Sequence, residues 1–214
     1  MPSQPVLHVD NLTWKPSGAL SPVLRQIKLQ LFAGESLAIV GPSGCGKSSL
    51  LRCLVLLERF STGRIVWQGK DVRPQNILQY RRTVAYVAQQ PVAICPTVTE
   101  ELAFARQADG LGEDQQIQLL QRLGLDVGQL DKPLRQFSLG EQQRIALVRS
   151  LSPNPEVLLL DEPTSALDDV NEQRLEQVVS DYLAEQPQRA AIWVSHKAGQ
   201  RDRMCSRQLF LERG

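Results

Sequence analysis

Residues 41–49 read GPSGCGKSS, and this stretch decides the fold class that the sequence predicts. It fits the pattern G-x-x-x-x-G-K-[ST], which forms a loop between a strand and a helix. The continuously apolar run SLAIV (36–40) precedes it, and a helical pattern over 47–58 follows. Glycines let the backbone approach phosphate oxygens, and successive N–H groups form an anion-binding nest. Because strand, loop, Lys-Ser and helix stand in register, we favour a phosphate-binding loop over a chance glycine-rich turn.

Two side chains of this loop have predicted roles. Lys47 can reach the β- and γ-phosphates of a nucleotide, and the Ser48 hydroxyl can ligate Mg²⁺. The motif alone leaves kinases, GTPases and motor ATPases open.

The stretch EVLLLDEP (156–163) narrows this choice. Asp161 ends an apolar strand, where a carboxylate can hold the Mg²⁺ shell. Glu162 follows it and can polarise a water for in-line attack on the γ-phosphate, which a kinase that must exclude water does not need. The alternative is that both acids simply cap a strand edge. We favour the first reading, which predicts hydrolysis of a nucleoside triphosphate.

Strand-like runs alternate with helical patterns along the chain, which indicates an α/β sheet. The segment 93–152 interrupts this alternation because it is rich in helical patterns and lacks a clear strand. We therefore predict a nucleotide-binding core in two parts, 1–92 and 153–214, with a helical subdomain over 93–152 inserted between them. The predicted strands are 7–14, 27–32, 36–40, 63–72 with a turn at Gln68-Gly69, 83–89, 156–162, 190–196 and 207–214, and the predicted helices are 47–58, 98–108, 113–123, 138–151 and 171–185.

A second helix start also favours phosphate. In RQFSLGEQQRIALVRSL (135–151), Ser138 is a good N-cap and Glu141 follows it at the capping-box spacing. The free N–H groups and the positive dipole end of such a helix attract anions. One domain therefore carries two predicted phosphate-binding ends.

Composition excludes several other classes. The 214 residues include 24 Lys and Arg against 23 Asp and Glu, so the net charge of +1 predicts no nucleic-acid partner. Aromatic residues make up 5%, which argues against base-stacking platforms. The four cysteines form no C-x-x-C pair, and MPSQPVLHVD at the start does not resemble a signal peptide. We expect a reduced, intracellular chain without a membrane span, since the apolar stretch SLLRCLVLLERF (49–60) is too short and interrupted.

Six motifs in a fixed order resemble those of the ATP-binding-cassette family, over nearly the whole chain. They are GPSGCGKSS, YVAQQP (86–91), FSLGEQQR (137–144), LLLDEP (158–163), SALD (165–168) and WVSH (193–196). The resemblance implies a P-loop NTPase core, in which a RecA-like mixed sheet with flanking helices is joined by an antiparallel β subdomain. It also implies ATP and Mg²⁺ as ligands.

The resemblance assigns roles around one nucleotide. Gln89 comes directly after the strand VAYVA, so it matches the family's glutamine better than Gln90 does. It would contact Mg²⁺ and the attacking water, and Glu162 would be the general base. His196 resembles the switch histidine near the γ-phosphate, although a lone histidine there could also be a surface residue. Trp14 would stack on adenine, with a core tryptophan as the alternative. Asp161 and Ser48 would join Gln89 around the metal, and the phosphate-binding residues would be Gly41, Ser43, Gly44, Cys45, Gly46, Lys47, Ser48 and Ser49.

The resemblance also explains the second phosphate-binding end. Two copies would associate head to tail, so that Ser138, Gly140 and Gln142 of one copy contact the nucleotide held by the other. The loop 165–168 would contact the partner across this interface. Leu139 departs from the commonest form of the motif, which has glycine here. We expect the Leu139 side chain to point away from the nucleotide.

The spacing of the motifs indicates which member of the family this is. About 90 residues without heptads separate Lys47 from Ser138, and there is one cassette, so coiled-coil repair proteins and two-cassette translation factors do not fit. We predict an ATPase subunit of a transporter, peripheral at the cytoplasmic face of the inner membrane, with a separate permease and a weak indication of metal export. ICPTVTEELAFA (94–105) is the predicted permease contact, or else ordinary subdomain core. The alternative function is an ATP-gated clamp on a soluble partner.

Overall fold

The computed structural model describes residues 4–106 and 109–213. The strands are β1 (Leu7–Trp14), β2 (Leu24–Leu31), β3 (Ser36–Val40), β4 (Thr62–Trp67), β5 (Lys70–Asp71), β6 (Val84–Val87), β7 (Val157–Asp161), β8 (Ala190–Val194) and β9 (Arg207–Phe210). The helices are α1 (Lys47–Leu54), α2 (Ile77–Thr83), α3 (Val98–Ala105), α4 (Glu113–Arg122), α5 (Leu139–Leu151), α6 (Asp169–Ala184) and α7 (Ala198–Met204), with 3₁₀ turns at Val127–Gln129 and Leu134–Gln136.

The strands form two sheets of different type. β6, β7, β8, β3 and β9 pair in that order as a parallel sheet, while β2, β1, β4 and β5 form an antiparallel sheet. In a parallel sheet the strand ends carry the functional loops to one edge, and here β3, β6, β7 and β8 each lead into a predicted motif. The predicted fold class, an α/β core with an added antiparallel sheet, is confirmed.

The parallel sheet is buried on both faces. Leu159 and Ile192 join the cluster that contains α1 and the antiparallel sheet, while their neighbours Leu160 and Trp193 join the cluster with α3, α4, α5 and α6. Successive residues of a strand point to opposite faces, so continuously apolar strands require cover on both. The helices and the second sheet supply that cover and hold the sheet's functional edge in place.

Most predicted elements are present with shorter bounds. The turn at Gln68-Gly69 is observed, with both residues at positive φ. The helix predicted over 47–58 ends at Leu54, since Leu56 adopts a left-handed φ of 60°. The helix predicted over 98–108 ends at Ala105, since Arg106 has an extended backbone; residues 107 and 108 lie outside the described part, as does residue 214 of the last predicted strand. The sequence interpretation missed two helices, α2 and α7.

Between β6 and β7 the described chain is helical. It contains α3, α4, α5 and both 3₁₀ turns, and an isolated bridge between Thr97 and Pro133 is its one extended pairing in the described residues. Across the described ranges, none of the helices has the length and apolar character needed to cross a bilayer.

Candidate nucleotide site

The loop 41–49 joins β3 to the first turn of α1. Gly46 is the residue before α1 and has a φ of 100°, a backbone that favours glycine. A Cβ at this position would lie 2.8 Å from Cδ2 of Leu24, so a larger residue would displace that side chain as well as strain the backbone. Lys47 begins the helix, and its ammonium donates to the carbonyls of Gly41 at 2.9 Å and Pro42 at 3.1 Å. The cation is therefore held against the loop.

A hydroxyl and a carboxylate meet below this loop. Ser48 Oγ donates to Asp161 Oδ1 at 2.9 Å, although the two residues are 113 positions apart. The other oxygen, Oδ2, accepts from the Tyr86 hydroxyl at 2.9 Å. Burial raises the pKa of Tyr86, and the charge of Asp161 raises it further, so this phenol stays protonated and donates. The oxygen atoms of these side chains, which come from β6, α1 and β7, are hard ligands of the kind that binds hard metal cations.

Glu162 directly follows β7, and each of its two carboxylate oxygens has a polar side chain beside it. Gln89 Nε2 donates to Oε2 at 3.1 Å, and His196 Nε2 lies 3.0 Å from Oε1. Glu162 has a φ of 48°, which is uncommon for a residue other than glycine, and its N–H donates to Val194 of β8. The side chain of Glu162 is 18% exposed and that of His196 is 56% exposed, so solvent reaches this pair.

These groups border one cleft of about 510 Å³. Trp14 lies in its wall and is 7% exposed, so its ring is largely buried. Asp161 does not line the cleft but accepts a hydrogen bond from Ser48, which does, while Gly41 and Cys45 belong to the loop but not to the lining. The predicted residues that line the cleft are Trp14, Ser43, Gly44, Gly46, Lys47, Ser48, Ser49, Gln89, Glu162 and His196. Pro16 and Val23, which were not predicted, line it as well.

The second predicted phosphate-binding end does not line this cleft. Ser138 is the N-cap of α5, and the capping box with Glu141 is present in full. Ser138 Oγ donates to Glu141 Oε2 at 2.7 Å, and hydrogen bonds from Ser138 lower the pKa of Glu141. The exposed start of α5 therefore lies outside the chain's own cleft. The Ser138 hydroxyl and the N–H groups of Ser138 and Glu141 are used within the capping box, so the N–H groups of Leu139 and Gly140 are the first-turn donors that remain.

The residues next to Ser138 differ in exposure, packing and hydrogen bonding. Leu139 adopts a helical backbone without positive φ and is 51% exposed, so no strain results from the missing glycine. A Cβ at Gly140 would lie 2.9 Å from the Ala166 carbonyl oxygen, so glycine permits close packing there. The Gln142 amide donates to the Phe137 carbonyl at 2.7 Å, which occupies one of its donors within the chain.

Sequence reasoning missed two residues that connect these motifs. Tyr86 lies in β6, and nothing in the neighbouring sequence indicates its hydrogen bond to Asp161, which is 75 residues away. Gln143, one turn into α5, donates to the Gln89 carbonyl at 2.9 Å. Gln143 and Arg144 directly precede the apolar run 145–148 of α5 and are buried with it, and this position next to the run was the available signal.

The parallel sheet, the loop at the start of α1 and the Asp161-Glu162 pair define a P-loop nucleoside triphosphatase. The chain belongs to the ABC transporter family, whose sequence model matches residues 24–165. It is thus an ATP-binding and ATP-hydrolysing subunit of that family.

Several curated relatives span most of this chain. A protein named as a probable iron export ATP-binding protein, FetA of Escherichia coli K12, is 38% identical over 196 residues, which are 91% of this chain and 86% of the relative. The rice protein STAR1 is 35% identical over 94% of this chain, which corresponds to 58% of its own length.

Solved structures show the same fold. A dimeric ATP-binding cassette, MJ0796, bound to ADP and phosphate has a TM-score of 0.83 at 26% identity and covers 97% of this chain and 96% of its own. A bacterial Atm1-family ABC exporter with ATP bound has a TM-score of 0.85 at 26% identity, covering 100% of this chain and 39% of that one.

Proposed function

We propose that two copies of this chain hydrolyse ATP in composite sites and thereby drive a separate membrane permease. One observation carries the proposal: the capped, exposed start of α5 lies outside the cleft that holds Lys47 and Glu162. A head-to-tail dimer would bring Ser138 and Gly140 of one copy to the nucleotide of the other. The loop 165–168 would then lie at the same interface.

Within one cleft the roles divide by chemistry. Lys47 and the N–H groups of the loop 41–49 bind the β- and γ-phosphates. Glu162 accepts the proton of the attacking water, and Gln89 and His196 orient its carboxylate from either side. Trp14 supports adenine at the wall of the cleft.

The donor set below the loop fits Mg²⁺. Ser48, Asp161 and Gln89 offer hydroxyl, carboxylate and amide oxygens, which are the ligands this ion prefers. When bound there, the ion would offset negative charge on the β- and γ-phosphates. Tyr86 holds the Asp161 carboxylate in position for that role.

We assign the permease contact to 94–105, within a helical subdomain over 93–152 that separates the core parts 1–92 and 153–214. Ile94 and Phe104 are 57% and 66% exposed, which leaves apolar area available to a partner, whereas Val98 and Leu102 are buried and serve as ordinary core. The complex would lie peripherally at the cytoplasmic face of the inner membrane. The similarity to FetA makes a metal ion the first solute to assay in export.

A mixing experiment tests the composite site. Lys47→Ala removes the phosphate cation from one copy, and Ser138→Ala alters the α5 start of the other. Each variant alone should hydrolyse ATP slowly, while their mixture should regain activity, because a mixed dimer contains one intact site. Failure of the mixture to recover any activity would contradict sites shared between copies.

The alternative, an ATP-gated clamp on a soluble protein, predicts a different partner. Purification of the tagged chain from detergent-solubilised membranes should retain a polytopic protein if the transport proposal holds. A stable complex in the soluble fraction with no membrane protein would favour the clamp.

A further inference from the structure

Gln143 is a buried polar side chain within the apolar packing of α5. It is 3% exposed, and it lies one turn from the Ser138 cap of the same helix. Burying an amide costs free energy unless its donors and acceptor find partners. The partners that Gln143 finds belong to two other motifs.

One amide joins three parts of the site. Gln143 Nε2 donates to the Gln89 carbonyl at 2.9 Å and to Ser165 Oγ at 3.1 Å. Its Oε1 accepts from the Ala166 N–H at 3.3 Å. The helix α5, the segment after β6 and the loop after β7 therefore meet at a single side chain.

The first turn of α5 is also packed directly on that loop. The Gly140 position leaves no room for a side chain against Ala166, and Leu167 Cδ2 would lie 3.1 Å from a Cβ there. Consequently the α5 start and the loop 165–168 are held together by van der Waals contact, and Gln143 extends this unit to Gln89.

Gln89 links the unit to the reacting centre. While its carbonyl accepts from Gln143, its side-chain amide donates to Glu162. The residue is exposed and lies two positions beyond the end of β6. We propose that Gln143 is a positioning residue, which fixes Gln89 against the loop 165–168 so that Gln89 can orient the Glu162 carboxylate. This inference rests on the proposed roles of Gln89 and Glu162.

The test replaces the amide with a side chain of similar length and no hydrogen bonds. Gln143→Met keeps the apolar contacts of α5 and removes the bonds to Gln89, Ser165 and Ala166. Gln116→Met is the matched control, because Gln116 on α4 is 1% exposed and its amide donates to the Leu102 carbonyl at 3.1 Å and to Ser152 at 2.8 Å, away from the cleft. Both variants lose buried hydrogen bonds of a glutamine.

We expect kcat for ATP hydrolysis to fall about ten- to a hundredfold in Gln143→Met, since small displacements of catalytic groups cost rates of that size. The KM for ATP should stay within about twofold of the unmodified chain, because the phosphate-binding loop makes no bond to Gln143. Gln116→Met should lower thermal stability to a similar extent and leave kcat near its original value. Gln143→Glu, which keeps an acceptor for Ala166 and loses the amide donor, should resemble Gln143→Met in kcat.

Two outcomes would overturn the positioning role: equal kcat in Gln143→Met and Gln116→Met per folded molecule, or a loss in Gln143→Met that lies in KM alone. The proposed composite site fails separately, through the mixing experiment. The kcat comparison of the two Met variants decides the role of Gln143 whatever the mixing experiment gives, because both variants retain Lys47 and Ser138.

Discussion

Glu162 Oε1 lies 3.0 Å from Nε2 of His196, while Gln89 donates to its other oxygen. The three residues follow the ends of β7, β8 and β6, which are neighbours in the parallel sheet. The sheet order therefore brings together an acid, an imidazole and an amide that are far apart in sequence. A carboxylate held at both oxygens has a fixed orientation, which suits it to remove a proton from water.

Replacing Glu162 with glutamine should separate binding from hydrolysis. Glu162→Gln keeps the shape and loses the base, so ATP should still bind while phosphate release falls about a hundredfold or more. The dimer should accumulate with ATP and Mg²⁺, which size-exclusion chromatography would detect. Glu113→Gln, an exposed carboxylate on α4, is the control. Turnover at the ordinary rate in Glu162→Gln would refute the general-base role.

Removing the cation of the loop should weaken nucleotide binding. Lys47→Ala deletes charge-assisted hydrogen bonds to phosphate, worth about 1.5–3 kcal/mol, so the Kd for ATP should rise about ten- to a hundredfold. Isothermal titration calorimetry would measure it, with the exposed Lys70→Ala as control. An unaltered Kd in Lys47→Ala would mean that the ammonium does not bind phosphate.

Two capping boxes allow the role of Ser138 to be isolated. Thr97 caps α3 with Glu100 in the same way that Ser138 caps α5 with Glu141. Ser138→Ala and Thr97→Ala should each lower the free energy of unfolding by about 1 kcal/mol. Only Ser138→Ala should strongly reduce ATP hydrolysis by the isolated subunit. If the two variants lose activity equally, Ser138 is a cap and nothing more.

A buried ion pair stabilises the segment after Gln89. Glu101, 1% exposed on its side chain, pairs with Arg149 of α5 and accepts from the backbone N–H groups of Ile94 and Cys95. Glu101→Gln removes the charged partner of Arg149, which among the described residues keeps only its hydrogen bond to the Val92 carbonyl, and should cost about 3 kcal/mol in urea unfolding, the low end for buried pairs, since Arg149 is 19% exposed.

The exposed pair of Arg122 and Asp181 is the comparison for that measurement. Both side chains are more than 40% exposed, so Asp181→Asn should cost under about 1 kcal/mol. Similar losses in Glu101→Gln and Asp181→Asn would show that burial adds nothing to the Glu101 pair.

The two readings of Trp14 give different ligand profiles. If its ring supports adenine, Trp14→Leu should weaken ATP about tenfold or more, because aromatic stacking on a base is worth about 1–3 kcal/mol. Binding of inorganic triphosphate should stay unchanged. Trp67→Leu, which removes another buried tryptophan outside the cleft, should lower stability without altering either ligand. Unchanged ATP affinity in Trp14→Leu would make Trp14 a core residue.

Much of the fold could be predicted because its signals are local. The run SLAIV gives β3 with the predicted bounds, since four consecutive apolar residues directly before a glycine-rich loop are typical of a strand buried on both faces. α7 was missed because AGQRDRM is polar, with Gln200 as its one buried residue among those described. α2 was missed because it is short, lacks a side-chain cap and buries Tyr80 alone of its described residues.

The site also has a part that could be predicted from the sequence and a part that could not. The residues of the loop 41–49 and of the Asp161-Glu162 pair are adjacent in the chain, so short motifs reveal them. The bonds of Tyr86 to Asp161 and of Gln143 to Gln89 join residues 75 and 54 positions apart. No periodicity or motif encodes such a pairing, which follows only from the order of strands in the sheet and the docking of α5.

The left-handed backbone of Glu162 affects which substitutions at this position favour folding. A left-handed conformation costs about 1–2 kcal/mol in a residue with a Cβ and nothing in glycine. Glycine at 162 would therefore relax the backbone and remove the proposed general base. Stability alone would favour glycine at this position, so the cost of the strained acid is explained by the proposed role of Glu162 in hydrolysis.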